Sequence, residues 1–173
     1  MSAGKLVLII IAACTIVLLP ILAKGRVGNA ATAENNPRPE EFRAIRTDGE
    51  TIRLSDFRGN VVILDVFATW CEPCRQELPG LINLQNKIER SNLNLVILGA
   101  AIDTNRRDVQ NYLQSRNVNF DVVFFDEREM KNFISESVPT KYIIDSRGVV
   151  VDKLVGGPWS DEQLLKRVEK FLK

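Results

Sequence analysis

Cys71 and Cys74 stand at CxxC spacing in the run Trp70-Cys71-Glu72-Pro73-Cys74. Directly before them lies Val61-Val62-Ile63-Leu64-Asp65-Val66-Phe67, which reads as a buried strand. Two thiols on the turn between a buried strand and a helix form a dithiol/disulfide switch. The strand fixes the turn. The helix N-terminus offers unpaired N–H groups and partial positive charge to the first sulfur, which favours its thiolate. A thiolate, not a thiol, attacks a disulfide. The second cysteine then resolves the mixed disulfide from one helical turn away.

The same spacing fits half of a zinc site, which needs two further Cys or His ligands. The chain has no His, and its third Cys, Cys14, sits inside an apolar run. Zinc, Ser-His, Cys-His and haem-His chemistry therefore lack their ligands or bases. A purely structural disulfide closing so short a loop adds little chain-entropy stabilisation. The flanking Trp and Pro suit a working site better.

Of the 173 residues 45% are apolar and 26% charged, ordinary for a globular domain with a tail. Net charge is +1, so bulk electrostatics do not point to nucleic acid. The basic residues of segment 1–33 are Lys5, Lys24 and Arg26. With those set aside, 20 basic and all 22 acidic side chains remain, a net of −2.

Leu6–Ala23 is an apolar run of 18 residues, interrupted by Thr15 and Pro20 and long enough to span a bilayer. Segment 1–23 is expected to be an uncleaved signal anchor. The A-x-A site Ala31-Thr32-Ala33 lies far beyond the apolar run, and Ile11-Ala12-Ala13-Cys14 has too short an apolar stretch before it for a lipoprotein box. Anchor, cleaved signal or lipoprotein, every one of the three fates sends the domain across the membrane, where a CxxC pair meets oxidising surroundings. Segment 24–41, rich in Gly, Asn, Ala, Glu and Pro, reads as a linker, and 42–173 as the domain.

Within the domain, Phe42 to Leu54 predicts a hairpin around Asp48-Gly49. Strands are expected at 61–67, 95–101, 120–125, 141–145 and 149–154, and helices at about 73–90, where Leu78, Leu81, Ile82, Gln85 and Ile88 trace the inward face, 107–116, 127–135 and from Ser160. Ser160 to Gln163 is a capping box. Strands alternating with helices and closed by a hairpin imply an α/β fold, a mixed sheet with helices on both faces.

Three stretches carry more than CxxC alone. They are Phe42…Asp48-Gly49…Leu54-Ser55-Asp56-Phe57-Arg58-Gly59, Phe67-Ala68-Thr69-Trp70-Cys71-Glu72-Pro73-Cys74-Arg75-Gln76-Glu77-Leu78-Pro79, and Val138-Pro139-Thr140 before an Ile-Ile-Asp strand. Together they resemble the TlpA/ResA-like membrane-anchored thiol–disulfide oxidoreductases of the thioredoxin fold, over about residues 40–173. Segment 103–136 matches the strand–helix insertion of that family. The resemblance implies that Cys71 is the exposed nucleophile and Cys74 the buried resolving thiol. It implies that Pro139 is a cis-proline facing the sulfurs, a rare bond kept for a purpose. Val138 would then pair its backbone with an extended substrate, with Trp70, Glu72 and Pro73 completing the contact surface.

Two carboxylates compete for one role. Asp65 stands where ordinary thioredoxins have a buried acid, and Glu77 where ResA-like members carry an active-site Glu. Many ResA-like proteins have a neutral residue at the Asp65 position, so two acids are a departure. Either can take the proton of Cys74, since a carboxylate buried in apolar surroundings has a raised pKa. Glu72 beside Cys71 disfavours the thiolate and Pro73 rigidifies the turn, which leans toward a reductant.

The resemblance implies a reductase of protein disulfides outside the cytoplasm, tethered to the membrane, with no bound cofactor beyond the redox-active pair. Its client class is the CxxCH site of apocytochrome c, and its electron source a membrane thiol carrier of the DsbD/CcdA type. The rivals are a disulfide oxidase or isomerase, a thiol peroxidase of the same fold, and a client-binding module without turnover.

Overall fold

Strand β3 (Val61–Phe67) is buried at every position, which its run of apolar residues, broken by Asp65, requires of a strand covered on both faces. The computed structural model describes residues 42–125, 127–133 and 137–172. The proposed anchor 1–23 with Cys14, the linker 24–41 and the end of the helix expected at 127–135 lie outside the described residues. Among the described residues, no helix is long and apolar enough to cross a membrane.

Around β3 are β1 (Arg43–Arg46), β2 (Thr51–Arg53), α1 (Glu72–Ser91), β4 (Leu95–Ala101), α2 (Arg106–Ser115), β5 (Asp121–Phe124), α3 (Glu127–Phe133), β6 (Thr140–Ile144), β7 (Val150–Val155) and α4 (Asp161–Val168). The seven strands form one mixed sheet in the order β2-β1-β5-β4-β3-β6-β7. β3, β4 and β5 run parallel. β6 runs antiparallel to β3, and β7 to β6. The hairpin expected between Phe42 and Leu54 is β1–β2, with Gly49 at φ +96° in its turn. The insertion contributes α2, β5 and α3, and β5 joins β1 to β4.

Alternation along β3 assigns the two faces. Val62, Leu64 and Val66 point into a core with Phe42, Leu98, Phe133 and Tyr142, the α3 side. Val61 and Ile63 point into a core with Leu81, Leu84 and Ile88 of α1 and Leu164 and Val168 of α4. Asp65 shares this second parity, so it points toward α1 and away from water. On α1 the buried apolar face includes Leu84, while Ile82 and Gln85, expected inward, are half-buried. The Ser160–Gln163 capping box is present: the Ser160 hydroxyl accepts from the Gln163 amide, and the Gln163 side chain accepts from Ser160 N–H.

Candidate active site

Cys71 is the N-cap of α1, and its Sγ accepts a hydrogen bond from the Cys74 backbone N–H at 3.3 Å. This amide is one of the unpaired donors at a helix start, so the sequence-derived reason for a stabilised first sulfur has a structural counterpart. Helix α1 begins at Glu72, one residue earlier than expected, which puts Pro73 at its second position. Cys71 and Cys74 form a disulfide with Cα atoms 5.3 Å apart.

The turn is tied down from the side. Asp103, just beyond β4, accepts hydrogen bonds from Thr69 N–H at 3.1 Å and from the Thr69 hydroxyl at 2.5 Å. The residue pattern around the cysteines did not single out Asp103, because its partner is 34 positions away.

Exposure differs from the expectation for Cys71. Both cysteines are 5% exposed in the disulfide form, so burial does not separate them. Cys71 and Cys74 both sit in an apolar cluster with Phe67, Ala68, Ala101 and Phe124, against which half-buried Val138 also packs. Their positions do differ. Cys71 precedes the helix, beside Trp70, whose side chain is 67% exposed. Cys74 lies within the helix and lines a small cavity of about 10 Å³ together with Asp65, Leu78 and Tyr112. Such a volume holds about one water at most. Glu72 is exposed and weakly paired with Arg75 at 3.8 Å. The Val138–Pro139 bond is cis, as the resemblance implied.

Both carboxylates named from the sequence are buried and meet on one cation. Register places Lys141 directly opposite Asp65 across the β3–β6 ladder. Lys141 has the parity of Ile143, so it points to the α1 side. There its Nζ donates to Asp65 Oδ1 at 2.8 Å and to Glu77 Oε1. Lys141 is 1% exposed, Glu77 2% and Asp65 3%. Glu77 also accepts from Trp159 N–H at 3.3 Å through its other oxygen. A Cβ on Gly157 would stand 2.6 Å from that oxygen, so only glycine leaves room for the carboxylate. The loop after β7 thus closes over Glu77.

Burial, and after it the charge of Asp65, push the Glu77 carboxyl up to about 7, while Lys141 pulls it the other way. Burial works against the Lys141 ammonium, but the two carboxylates outweigh it and raise its pKa above the ordinary value. An ammonium flanked by two carboxylates keeps its charge where a lone buried lysine would lose it.

Lys141, Trp159 and Gly157 were missed from the sequence. The one available signal was a lysine inside the Tyr-Ile-Ile strand, at the parity of Ile143. Among the described residues, no cluster of three or more Cys, Asp or Glu could hold a metal ion.

A strand–turn–helix dithiol with buried acid–base groups beneath it, on a mixed sheet of this order, defines a thioredoxin-fold thiol–disulfide oxidoreductase. Residues 35–153 match the AhpC/TSA family, and the chain belongs to it. It is 30% identical over 138 residues to the thiol-disulfide oxidoreductase ResA of Bacillus subtilis (strain 168), covering 79% of this chain and 75% of that one. Its identity to ResA of Bacillus cereus (strain ATCC 10987 / NRS 248) is 30% over 153 residues, covering 88% and 84%. The crystal structure of a thioredoxin-family thiol:disulfide interchange protein from Chlorobium tepidum TLS superposes with a TM-score of 0.69 at 26% identity, covering 82% of this chain and 99% of that one.

Proposed function

We propose that this chain reduces protein disulfides outside the cytoplasm, held to the membrane by segment 1–23. The observation that carries the reading is the Cys71–Cys74 pair at the start of α1, with a titratable carboxylate buried beneath it. In the reduced protein the Cys71 thiolate attacks a client disulfide, and one client thiolate leaves. Cys74 then attacks Cys71 Sγ. The Cys71–Cys74 bond forms, the bond to the client breaks, and its electron pair leaves on the second client sulfur. The proton of Cys74 passes to the buried carboxylates. Exposed Trp70, with Glu72, Pro73, Val138 and Pro139, forms the surface that meets the client. The pair works without a bound cofactor.

The client class we infer is the CxxCH site of apocytochrome c, whose thiols must be reduced before haem attaches. Electrons would return from a membrane thiol carrier of the DsbD/CcdA type. The similarity to proteins named ResA supports the oxidoreductase class, and the apolar run Leu6–Ala23 supports the tether.

A midpoint potential more reducing than about −250 mV is expected, near that of thioredoxin-like reductants. A value above about −200 mV would favour the oxidase or isomerase reading. Cys74→Ala removes the resolving thiol and should trap clients on Cys71. CxxCH-containing chains should dominate the trapped material, and cells lacking the protein should lose holocytochrome c until an external thiol reductant is added. Intact cytochrome c with an unrelated set of trapped clients would remove the apocytochrome assignment.

A further inference from the structure

Two buried carboxylates share one ammonium, and this decides how many protons the site holds. Lys141 neutralises one negative charge. A second would be left without a cation at positions no more than 3% exposed, a costly state. With Lys141 charged, the two carboxylates together therefore carry one proton more readily than none.

The carboxylates also face different ways. Asp65 lines the cavity that Cys74 lines, and Glu77 does not. Glu77 lies instead under the Gly157–Trp159 loop. The titratable and charged groups facing this site are Asp65 from β3, Cys74 and Glu77 from α1, Lys141 from β6 and the Tyr112 phenol from α2. The loop after β7 offers only the Trp159 backbone N–H.

We propose that Lys141 is a positioning residue that joins Asp65 and Glu77 into one acid–base unit exchanging a single proton, and that this unit, not either carboxylate alone, receives the proton of Cys74. The proposal rests on the thiol–disulfide reading and deepens it. During resolution, Cys74 Sγ–H gives its proton to the unit as the Cys71–Cys74 bond forms. The electron pair of the broken bond leaves on the departing sulfur, and the unit later releases the proton to solvent. Lys141 never touches the sulfurs. It holds Asp65 and Glu77 on one nitrogen, so a change of charge on one is felt by the other. The rise of the Glu77 carboxyl to about 7 agrees with a unit that changes charge near neutrality.

The test uses the full chain in mild detergent, reduced and mixed with 5,5′-dithiobis(2-nitrobenzoate). Attack by Cys71 releases one thionitrobenzoate, and resolution by Cys74 releases the second, so stopped-flow absorbance separates the steps. In the wild type the resolution rate should rise with pH through an inflection near 7. In Lys141→Met, burial and the Asp65 charge act on Glu77 unopposed. The inflection should move alkaline by about one unit or more, so the rate at pH 7 falls about fivefold or more and recovers at higher pH. In Asp65→Asn the like charge is gone and the inflection should move acid. Glu77→Gln should abolish it.

A uniform drop in Lys141→Met with an unmoved inflection would make Lys141 merely structural and overturn the proposal. So would an inflection in Asp65→Asn that stays in place or moves alkaline, and this variant decides the matter if Lys141→Met does not fold. The small-molecule disulfide makes the result independent of any protein client. Failure to reduce a protein disulfide would strike the proposed function and leave the shifts intact.

Discussion

Glu77 is the residue on which chemistry and stability meet. Its carboxyl titrates at about 7 in the folded protein, against an ordinary value of 4.5. Between these values the folded state holds a proton that the unfolded chain has lost. The contribution of Glu77 is therefore fully present below about pH 4.5 and fades as pH rises toward 7, by at most ~3 kcal/mol. Asp145 and Asp161, whose carboxyls are held low by their partners, act in the opposite sense as pH falls. The comparison that isolates Glu77 is thus wild type against Glu77→Gln. Denaturant unfolding of the oxidised proteins from pH 4.5 to 7.5 should show a stability difference that shrinks with rising pH. A constant difference would mean that Glu77 does not change charge in this range. Both acids were legible as candidates, because each stands where the resemblance places an acid near the dithiol. The cation between them was not, because Lys141 reaches them only through strand pairing.

At the level of elements, the turn bearing Cys71 is built from β3, α1 and the segment after β4. Asp103 supplies the third side by holding both the amide and the hydroxyl of Thr69. Asp103→Ala should cost about 1–3 kcal/mol, the range for leaving partly buried donors unsatisfied. It should also speed alkylation of Cys71 in the reduced protein, since the turn loses its lateral tie. Iodoacetamide kinetics at fixed pH, with the unfolding midpoint from the same preparation, check both effects. An unchanged alkylation rate would show that β3 and α1 suffice to hold the turn. Runs such as 61–67 and 95–101 could be placed from sequence to the residue, because a strand buried on both faces is apolar at nearly every position. The face of α1 was placed less well. Leu84 is buried where Ile82 was expected, because packing against α4 and the sheet selects among neighbouring apolar residues.

For the whole molecule, the described residues lie in the compact unit Asn36–Lys173. A chain beginning at Asn36 should fold and reduce insulin with turnover, while the full chain should partition with membranes through alkali extraction. Loss of turnover in the shorter chain would assign the N-terminal segment a part in the chemistry. Recovery from cells of a soluble form beginning at Glu34 would refute an uncleaved anchor. The sequence by itself determined the dithiol, its place between strand and helix and the α/β class, because local apolar periodicity and fixed spacing encode these, and it marked the two acids through the resemblance of the motifs around them. Only the tertiary structure decided that Asp65 and Glu77 share Lys141, that Gly157 leaves room for a carboxylate, that Trp159 N–H caps it and that Asp103 ties the turn. Those partners lie between 34 and 82 positions apart along the chain. Sheet register and helix packing bring them together, and neither is written in the spacing of the residues concerned.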